Sequence, residues 1–153
     1  MINPVLHHIL SIMGETNNRI LPVGIQSFEK IRKEGLLYVD KTEIIWNLVN
    51  SNKTYNYLSR PRRFGKSLLV DTLQAYFEGR KELFEGLKIM DLEKEWVKRP
   101  VVRLDMSRAG STAHELNAYL NLAFKEYEQK YGIEASASDS LSNRFDIIIQ
   151  SAY

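Results

Sequence analysis

The sequence predicts an α/β fold of the doubly wound type, in which strands of a parallel sheet alternate with helices. Two segments carry the strand signal. Residues 54–59 (TYNYLS) are short and rich in strand formers, and residues 100–107 (PVVRLDMS) alternate apolar positions after a proline. A helical pattern follows each of them, over 66–79 and 112–131. Because such sheets usually have about five or six strands, we expect these 153 residues to be the N-terminal part of a larger domain.

The remaining elements are predicted as helices from apolar spacing and capping residues. Ser27 and Thr42 are residue types that cap helix N-termini, whereas Gly35 and Gly79 are typical of helix C-termini. The further helices are expected near residues 4–13, 27–35, 42–50, 81–98 (one or two short helices) and 139–153. We therefore expect two parts, an N-terminal helix with its linker (1–19) and the main domain (20–153).

Composition narrows the class of protein. The 21 Lys and Arg residues against 19 Asp and Glu give a net charge of only +2, which is low for a dedicated nucleic-acid binder. There is no cysteine, so neither a disulfide framework nor a Cys-based zinc site is expected. The sequence has no apolar run of membrane-spanning length and no convincing signal peptide. We expect a cytoplasmic protein that does not contact a membrane.

The basic residues concentrate in one segment, SRPRRFGKS, between the first predicted strand and its helix. Its last three residues, Gly65, Lys66 and Ser67, match the end of the phosphate-binding pattern G-x-x-x-x-G-K-[ST], although Arg60 stands where the pattern has its first glycine. In such a loop the glycine admits a phosphate close to the backbone, the lysine reaches the β- and γ-phosphates, and the serine hydroxyl binds Mg²⁺. The alternative is a solvated basic turn, but cations at a helix N-terminus oppose the helix dipole unless an anion lies between them.

The same residues resemble a known family. LPVGIQSFEKIRKEGLLYVDKTEII followed by YLSRPRRFGKSLLVDTL is similar to the AAA-ATPase-like family of bacterial and archaeal P-loop proteins, and the resemblance covers about residues 20–107. In that family an Arg-Pro pair replaces the first loop glycine. The resemblance implies a three-layer αβα P-loop NTPase fold that binds ATP and Mg²⁺. It also implies that the chain ends before the acidic Walker B strand.

The resemblance assigns the loop residue by residue. Lys66 would be the catalytic residue and Ser67 the magnesium ligand. The nucleotide-binding residues would be Arg60, Pro61, Arg62, Arg63, Phe64, Gly65, Lys66, Ser67 and Leu68. By analogy with related ATPases, Tyr38 and Asp40 in the YVDKTEII segment would flank the adenine or ribose. The alternative is that Tyr38 is a core residue and Asp40 caps the following helix.

The acidic residues needed for hydrolysis are not evident. Asp105 follows the second predicted strand, but in the family the magnesium-binding acidic strand comes later, so we do not assign Asp105 that role. We therefore expect ATP binding by an incomplete ATPase domain, with hydrolysis only in a full-length protein. The alternatives are a nucleic-acid-binding module that uses Arg60, Arg62, Arg63 and Lys66, and a scaffold that keeps the fold and binds nothing. Relatives often carry a nuclease-like C-terminal domain, so a nucleic-acid partner could enter through a region outside this chain.

Overall fold

A computed structural model of the chain describes residues 20–59, 61–134 and 139–152. The chain divides between Lys98 and Arg99 into two compact units. The helices of the first unit are α1 (Phe28–Lys33), α2 (Thr42–Val49), α3 (Lys66–Phe77), a 3₁₀ turn (Lys81–Phe84) and α4 (Ile89–Leu92). Those of the second unit are a 3₁₀ turn (Met106–Arg108), α5 (Ala113–Tyr131) and α6 (Leu141–Ala152).

The predicted αβα sheet is wrong for the described residues, which contain helices and no β-strand. Residues 54–59 were expected to form a buried strand, but all six are exposed. Tyr55 and Tyr57 are 90% and 93% exposed. A strand needs a partner backbone as well as strand-forming side chains, and no partner strand is present among the described residues. The prediction that the chain ends before a Walker B strand assumed the same sheet, so the described residues do not support it.

The second predicted strand is also absent. Tyrosine side chains take the hydrogen-bonding role that a neighbouring strand would have had. The backbone N–H groups of Val101, Arg103 and Asp105 donate to the hydroxyls of three α5 tyrosines over 2.7–3.2 Å. These tyrosines are Tyr131, Tyr127 and Tyr119, in that order. Alternate residues share one edge of an extended segment, so side-chain hydroxyls satisfy the backbone groups that a neighbouring strand would otherwise bind.

The first unit has a core built on short helices. Phe28 at the start of α1 is fully buried, and its ring lies 4.9 Å from that of Phe84 and 5.1 Å from that of Tyr38. The buried cluster consists of Phe28, Ile45, Ala75, Leu83, Phe84, Leu87 and Ile89. These apolar side chains come from α1, α2, α3, α4, the 3₁₀ turn and, for Leu87, the link between that turn and α4. Burial against neighbours thus stabilises helices that are too short to be stable alone.

The second unit contains a helical hairpin in which α5 packs against α6. The Thr112 hydroxyl accepts from the N–H of Glu115, whose carboxylate accepts in return from the N–H of Thr112, a capping box that fixes the start of α5. Glu128 and Arg144 form a buried ion pair, with Oε1 and Nε separated by 2.7 Å. This pair joins the end of α5 to the start of α6, close to the connection between the two helices.

Most helix predictions are confirmed where they can be compared. Ser27 caps α1 by accepting from the N–H of Lys30, and α3 and α5 begin and end within two residues of their predicted bounds. The predicted helix over residues 4–13 lies outside the described residues. Within the described ranges, no helix has the length and the apolar content that crossing a bilayer requires.

Candidate functional site

The phosphate-loop segment leads directly into α3. Gly65 occupies the N-cap position with φ at 73° in the left-handed region, and no side chain caps the helix there. A Cβ added to Gly65 would meet no atom within 4 Å, so the backbone conformation rather than crowding favours glycine. The first N–H groups of α3 have no partners within the helix, which is the geometry that binds an anion.

Two more residues shape this loop. Arg63 has φ at 65°, a conformation that costs a non-glycine residue about 1–2 kcal/mol. The Lys66 ammonium donates to the carbonyl oxygen of Pro61 over 3.2 Å and so closes the loop on itself. Strained backbone of this kind is found preferentially at ligand-binding loops. Arg60 lies outside the described residues.

A cleft of about 760 Å³ opens beside the loop, within the size range of small-molecule sites. One wall comes from the loop and the start of α3: Arg62, Arg63, Gly65, Lys66, Ser67 and Leu68. The other wall comes from the turn that precedes α1: Val23, Gly24, Ile25 and Gln26. The charged residues that line it are all basic, so the cleft suits a compact anion.

A second, smaller cavity of about 230 Å³ adjoins the cleft, and the two share Gly65 and Leu68. Its lining is mainly apolar, with Lys41 as its charged member: Leu21, Pro22, Ile31, Leu37, Tyr38, Val39, Lys41, Ile44, Phe64, Gly65, Leu68 and Leu69. An apolar cavity next to a basic cleft suits a ligand with a flat apolar part and an anionic part. Of the predicted site residues, Tyr38, Phe64, Gly65 and Leu68 line this cavity.

Tyr38 is a half-buried residue that belongs to both the core and the cavity. Burial raises the pKa of its phenol, while a hydrogen bond with Thr72 acts in the opposite direction. Its ring meets that of Phe28 edge to face. Tyr38 is therefore held neutral and oriented by α1 and α3 at one side of the apolar cavity.

Asp40 lies beside the cavity but not in its lining, and its carboxylate is engaged within the protein. Oδ1 accepts from the N–H and the hydroxyl of Thr42 at 2.8 and 2.7 Å, and Oδ2 accepts from the N–H of Lys88 at 2.6 Å. The Thr42 hydroxyl in turn accepts from the N–H of Ile89. Asp40 thus lies one residue before Lys41, the N-cap of α2, where it satisfies the N–H of the first helical residue and links α2 to the start of α4.

The described residues supply little for a metal or for acid–base chemistry. No group of three or more His, Cys, Asp or Glu side chains able to hold a metal lies in the described ranges. None of the described residues that line the cleft is acidic, so the side-chain oxygens that it offers a cation are those of Ser67 and Gln26. A magnesium ion held by Ser67 fits only if ligand phosphates and water complete its octahedron, as Mg²⁺ often binds.

Asp105 belongs to the second unit. Its carboxylate caps the 3₁₀ turn by accepting from the N–H and hydroxyl of Ser107 at 3.1 and 2.6 Å, and these bonds lower its pKa. The Asp105 carboxylate thus has a local structural role at the start of this turn.

The turn before α1 is the part of the site that sequence reasoning missed. The available signal was Gly24 in LPVGIQS, a glycine three residues before the capping Ser27. Gly24 has φ at 75°, and the N–H of Ile25 donates to the carbonyl of Pro22 over 3.2 Å. That hydrogen bond closes a tight turn with glycine at the position that requires positive φ.

The site is thus a basic loop that runs into a helix N-terminus beside a cleft. The sequence model of the family described as "Predicted AAA-ATPase" matches residues 22–153, and the chain belongs to this AAA-ATPase-like family. The resemblance carried by RPRRFGKS is thereby confirmed.

The chain is also similar to a protein of Azotobacter chroococcum mcd 1, described as an uncharacterized protein in the vnfD 5′ region. The two are 38% identical over 136 residues, which make up 87% of this chain and 26% of that protein. The chain thus spans only a minor part of that relative's length. No solved structure matches the chain.

Proposed function

We propose that this chain binds ATP together with Mg²⁺ at the cleft beside residues 61–67. The observation that carries the proposal is the meeting of two cavities of opposite character at Gly65 and Leu68. The basic cleft would take the phosphates, and the apolar cavity would take the base. Membership of the AAA-ATPase-like family supports this reading.

Each part of the site has a distinct task in the proposal. The Lys66 ammonium exchanges the Pro61 carbonyl for the β- and γ-phosphates, and Arg62 and Arg63 add charge from the exposed side of the loop. The Ser67 hydroxyl binds Mg²⁺, which neutralises phosphate charge when bound. The base lies against the apolar cavity, beside Tyr38.

Hydrolysis belongs, in this proposal, to the whole protein rather than to this chain. In-line attack on a phosphate needs a group that orients water, and the described residues that line the cleft include no carboxylate. A turnover assay of this chain against Lys66→Ala tests this point. Robust turnover that depends on Lys66 would contradict it.

Calorimetric titration with ATP–Mg²⁺ tests binding. Lys66→Ala should weaken affinity about tenfold or more, since a charge-assisted contact to phosphate is lost. Lys81→Ala is the matched control, because Lys81 is exposed and lies beyond the other end of α3. If the wild-type chain gives no saturable signal, or if Lys66→Ala binds as well as the control, the proposed site is wrong.

The apolar cavity can be tested separately by comparing ATP with inorganic triphosphate. Val39 is 68% exposed at the rim of the cavity, so Val39→Asp should not disturb the core. We expect this change to weaken ATP binding and to leave triphosphate binding nearly unchanged. Equal effects on the two ligands would exclude the cavity as the base site.

A second candidate function is binding of single-stranded nucleic acid by the same loop. Its specific support is the exposure of Tyr55 and Tyr57, which stand two residues apart just before the basic residues. Exposed aromatic rings beside arginines are typical of surfaces on which bases stack. Affinity for a short oligonucleotide that falls steeply with salt and is lost in a Tyr55→Ala, Tyr57→Ala double variant would favour this function.

A further inference from the structure

The turn formed by residues 22–27, called here the opposing turn, faces the phosphate loop across the cleft. Its residues Val23–Gln26 form one wall, and Arg62, Arg63 and Gly65–Ser67 form the other. The width of the cleft therefore depends on where the opposing turn is held relative to α3.

The downstream end of the opposing turn is fixed by a side chain of α3. Asp71 Oδ2 accepts from the N–H of Phe28, the first residue of α1, over 2.7 Å. Ser27 caps the same helix through the N–H of Lys30. A carboxylate at a helix N-terminus is favoured both by the hydrogen bond and by the helix dipole.

The position of Asp71 on α3 is what connects this contact to the ligand site. Asp71 follows Ser67 by four residues, so the two lie on the same face of the helix, one turn apart. The helix that begins with the phosphate loop thus also holds the wall on the opposite side of the cleft.

Core packing alone does not fix the opposing turn. Phe28 is fully buried against Tyr38 and Phe84, and this burial anchors α1 as a whole. Val23 is 86% exposed and Gln26 is exposed, whereas Pro22 and Ile25 are half-buried, so the turn is only partly held by packing. The Asp71 contact lies at the junction between the anchored helix and the exposed turn.

We infer that Asp71 is a positioning residue that sets the distance between the opposing turn and the phosphate loop, and so tunes affinity for the phosphate-bearing ligand. This inference rests on the proposed ATP site. Asp71 touches no ligand in this role; it acts through the Phe28 N–H and the backbone of the opposing turn.

Affinity for ATP–Mg²⁺, measured by calorimetry well below the melting temperature, tests the inference in the whole chain. Asp71→Ala should bind ATP–Mg²⁺ about tenfold more weakly. The loss of a hydrogen bond to a charged group raises the dissociation constant about tenfold or more when the whole loss falls on the ligand-bound state. Asp71→Asn keeps an acceptor oxygen and should recover most of the affinity. Asp91→Ala, a change at a side chain 77% exposed on α4, is the control and should bind as the wild type does.

A second readout follows the opposing turn itself. The chain has no cysteine, so Val23→Cys introduces a unique site for a fluorescent label at an exposed position. Without ligand, label anisotropy should fall when Asp71→Ala is added and recover with Asp71→Asn. A residue that served only global stability would lower the melting temperature and leave both anisotropy and affinity unchanged.

The outcomes separate the two proposals. No ATP binding by the wild-type chain overturns the proposed site. Wild-type binding with equal affinity in Asp71→Ala overturns the positioning role alone. If Asp71→Ala does not fold, Gly24→Ala decides. It strains the same turn at φ 75° without meeting any atom within 4 Å, and unchanged affinity in that variant overturns the inference.

Discussion

Replacing Asp40 by alanine distinguishes the two roles that its position allows. If Asp40 contacts the nucleotide, Asp40→Ala should weaken ATP binding in a protein of normal stability. The structure predicts a different result, because the carboxylate accepts three hydrogen bonds, two from Thr42 and one from the N–H of Lys88. We therefore expect Asp40→Ala chiefly to destabilise the first unit.

The magnitude follows from these contacts. Thr42 is fully buried, and removing the Asp40 acceptor leaves its hydroxyl proton without that partner, at a cost of about 1–3 kcal/mol. Loss of the bond to the Thr42 N–H, the first of α2, costs about 0.5–1.5 kcal/mol. The Lys88 N–H is exposed, so water compensates for its lost bond. The combined effect of about 1.5–4.5 kcal/mol corresponds to a fall in melting temperature of about 6–36 °C for a unit of this size.

Thermal unfolding followed by circular dichroism, together with calorimetric titration of the folded variant, measures both quantities. Asp40→Asn retains the acceptor for Thr42 and should recover part of the loss. Glu43→Ala, at an exposed position in the first turn of the same helix, should change stability by less than about 1 kcal/mol. A melting temperature within about 2 °C of the wild type, combined with weaker ATP binding, would refute the structural role.

Two further predictions concern ion pairs. Glu128→Leu leaves the Arg144 guanidinium buried without its partner and should cost the second unit about 3–5 kcal/mol, whereas adding Arg144→Met should recover most of that loss. Hydrogen exchange of α5 amides measures both, and equal protection in the single and double variants would contradict the prediction. The Arg80 guanidinium, and secondarily Lys33, lower the pKa of Glu29 from 4.5 to about 2. Because the folded pKa is the lower one, this stabilisation is full above pH 4.5 and is lost as pH falls towards 2. Urea midpoints at pH 7 and pH 3 should therefore differ less in Glu29→Gln than in the wild type.

Local signals in the sequence predicted the helices well. Ser27, predicted as a helix N-cap, accepts a hydrogen bond from the N–H of Lys30 three residues further on and fixes the start of α1. Such contacts form between near neighbours, so a short window of sequence contains the whole cause.

The predicted sheet failed for the opposite reason. Strand formers at residues 54–59 and 100–107 indicate a preference for extended backbone, but not the identity of the partner for that backbone. For Val101 and Arg103 the partners are hydroxyls of Tyr131 and Tyr127, which lie 30 and 24 residues further along the chain. Strand propensity describes single residues, so it cannot predict that distant tyrosine hydroxyls take the place of a neighbouring strand.

The site shows the same division between local and distant causes. The motif at residues 65–67 predicted a phosphate-binding loop from neighbouring residues, whereas the proposed role of the opposing turn rests on a contact between Phe28 and Asp71, 43 residues apart. Asp71 looks in sequence like an ordinary polar position of an amphipathic helix. Its role emerges only when α1 and α3 are placed side by side.

One helix therefore organises both halves of the proposed ligand site. Successive turns of α3 carry Lys66 and Ser67 in the cleft, Leu68 in the lining that both cavities share, and Asp71 and Thr72 towards the opposing turn and Tyr38. A ligand that moved the first turn of α3 would also move the supports of both cavity walls, because a helix transmits displacement along its length as a rigid body. Phosphate binding and base binding should consequently be coupled. The binding free energies of triphosphate and of adenosine, measured separately, should therefore not add up to the binding free energy of ATP. In Asp71→Ala, which frees the opposing turn, the sum should lie closer to the value for ATP.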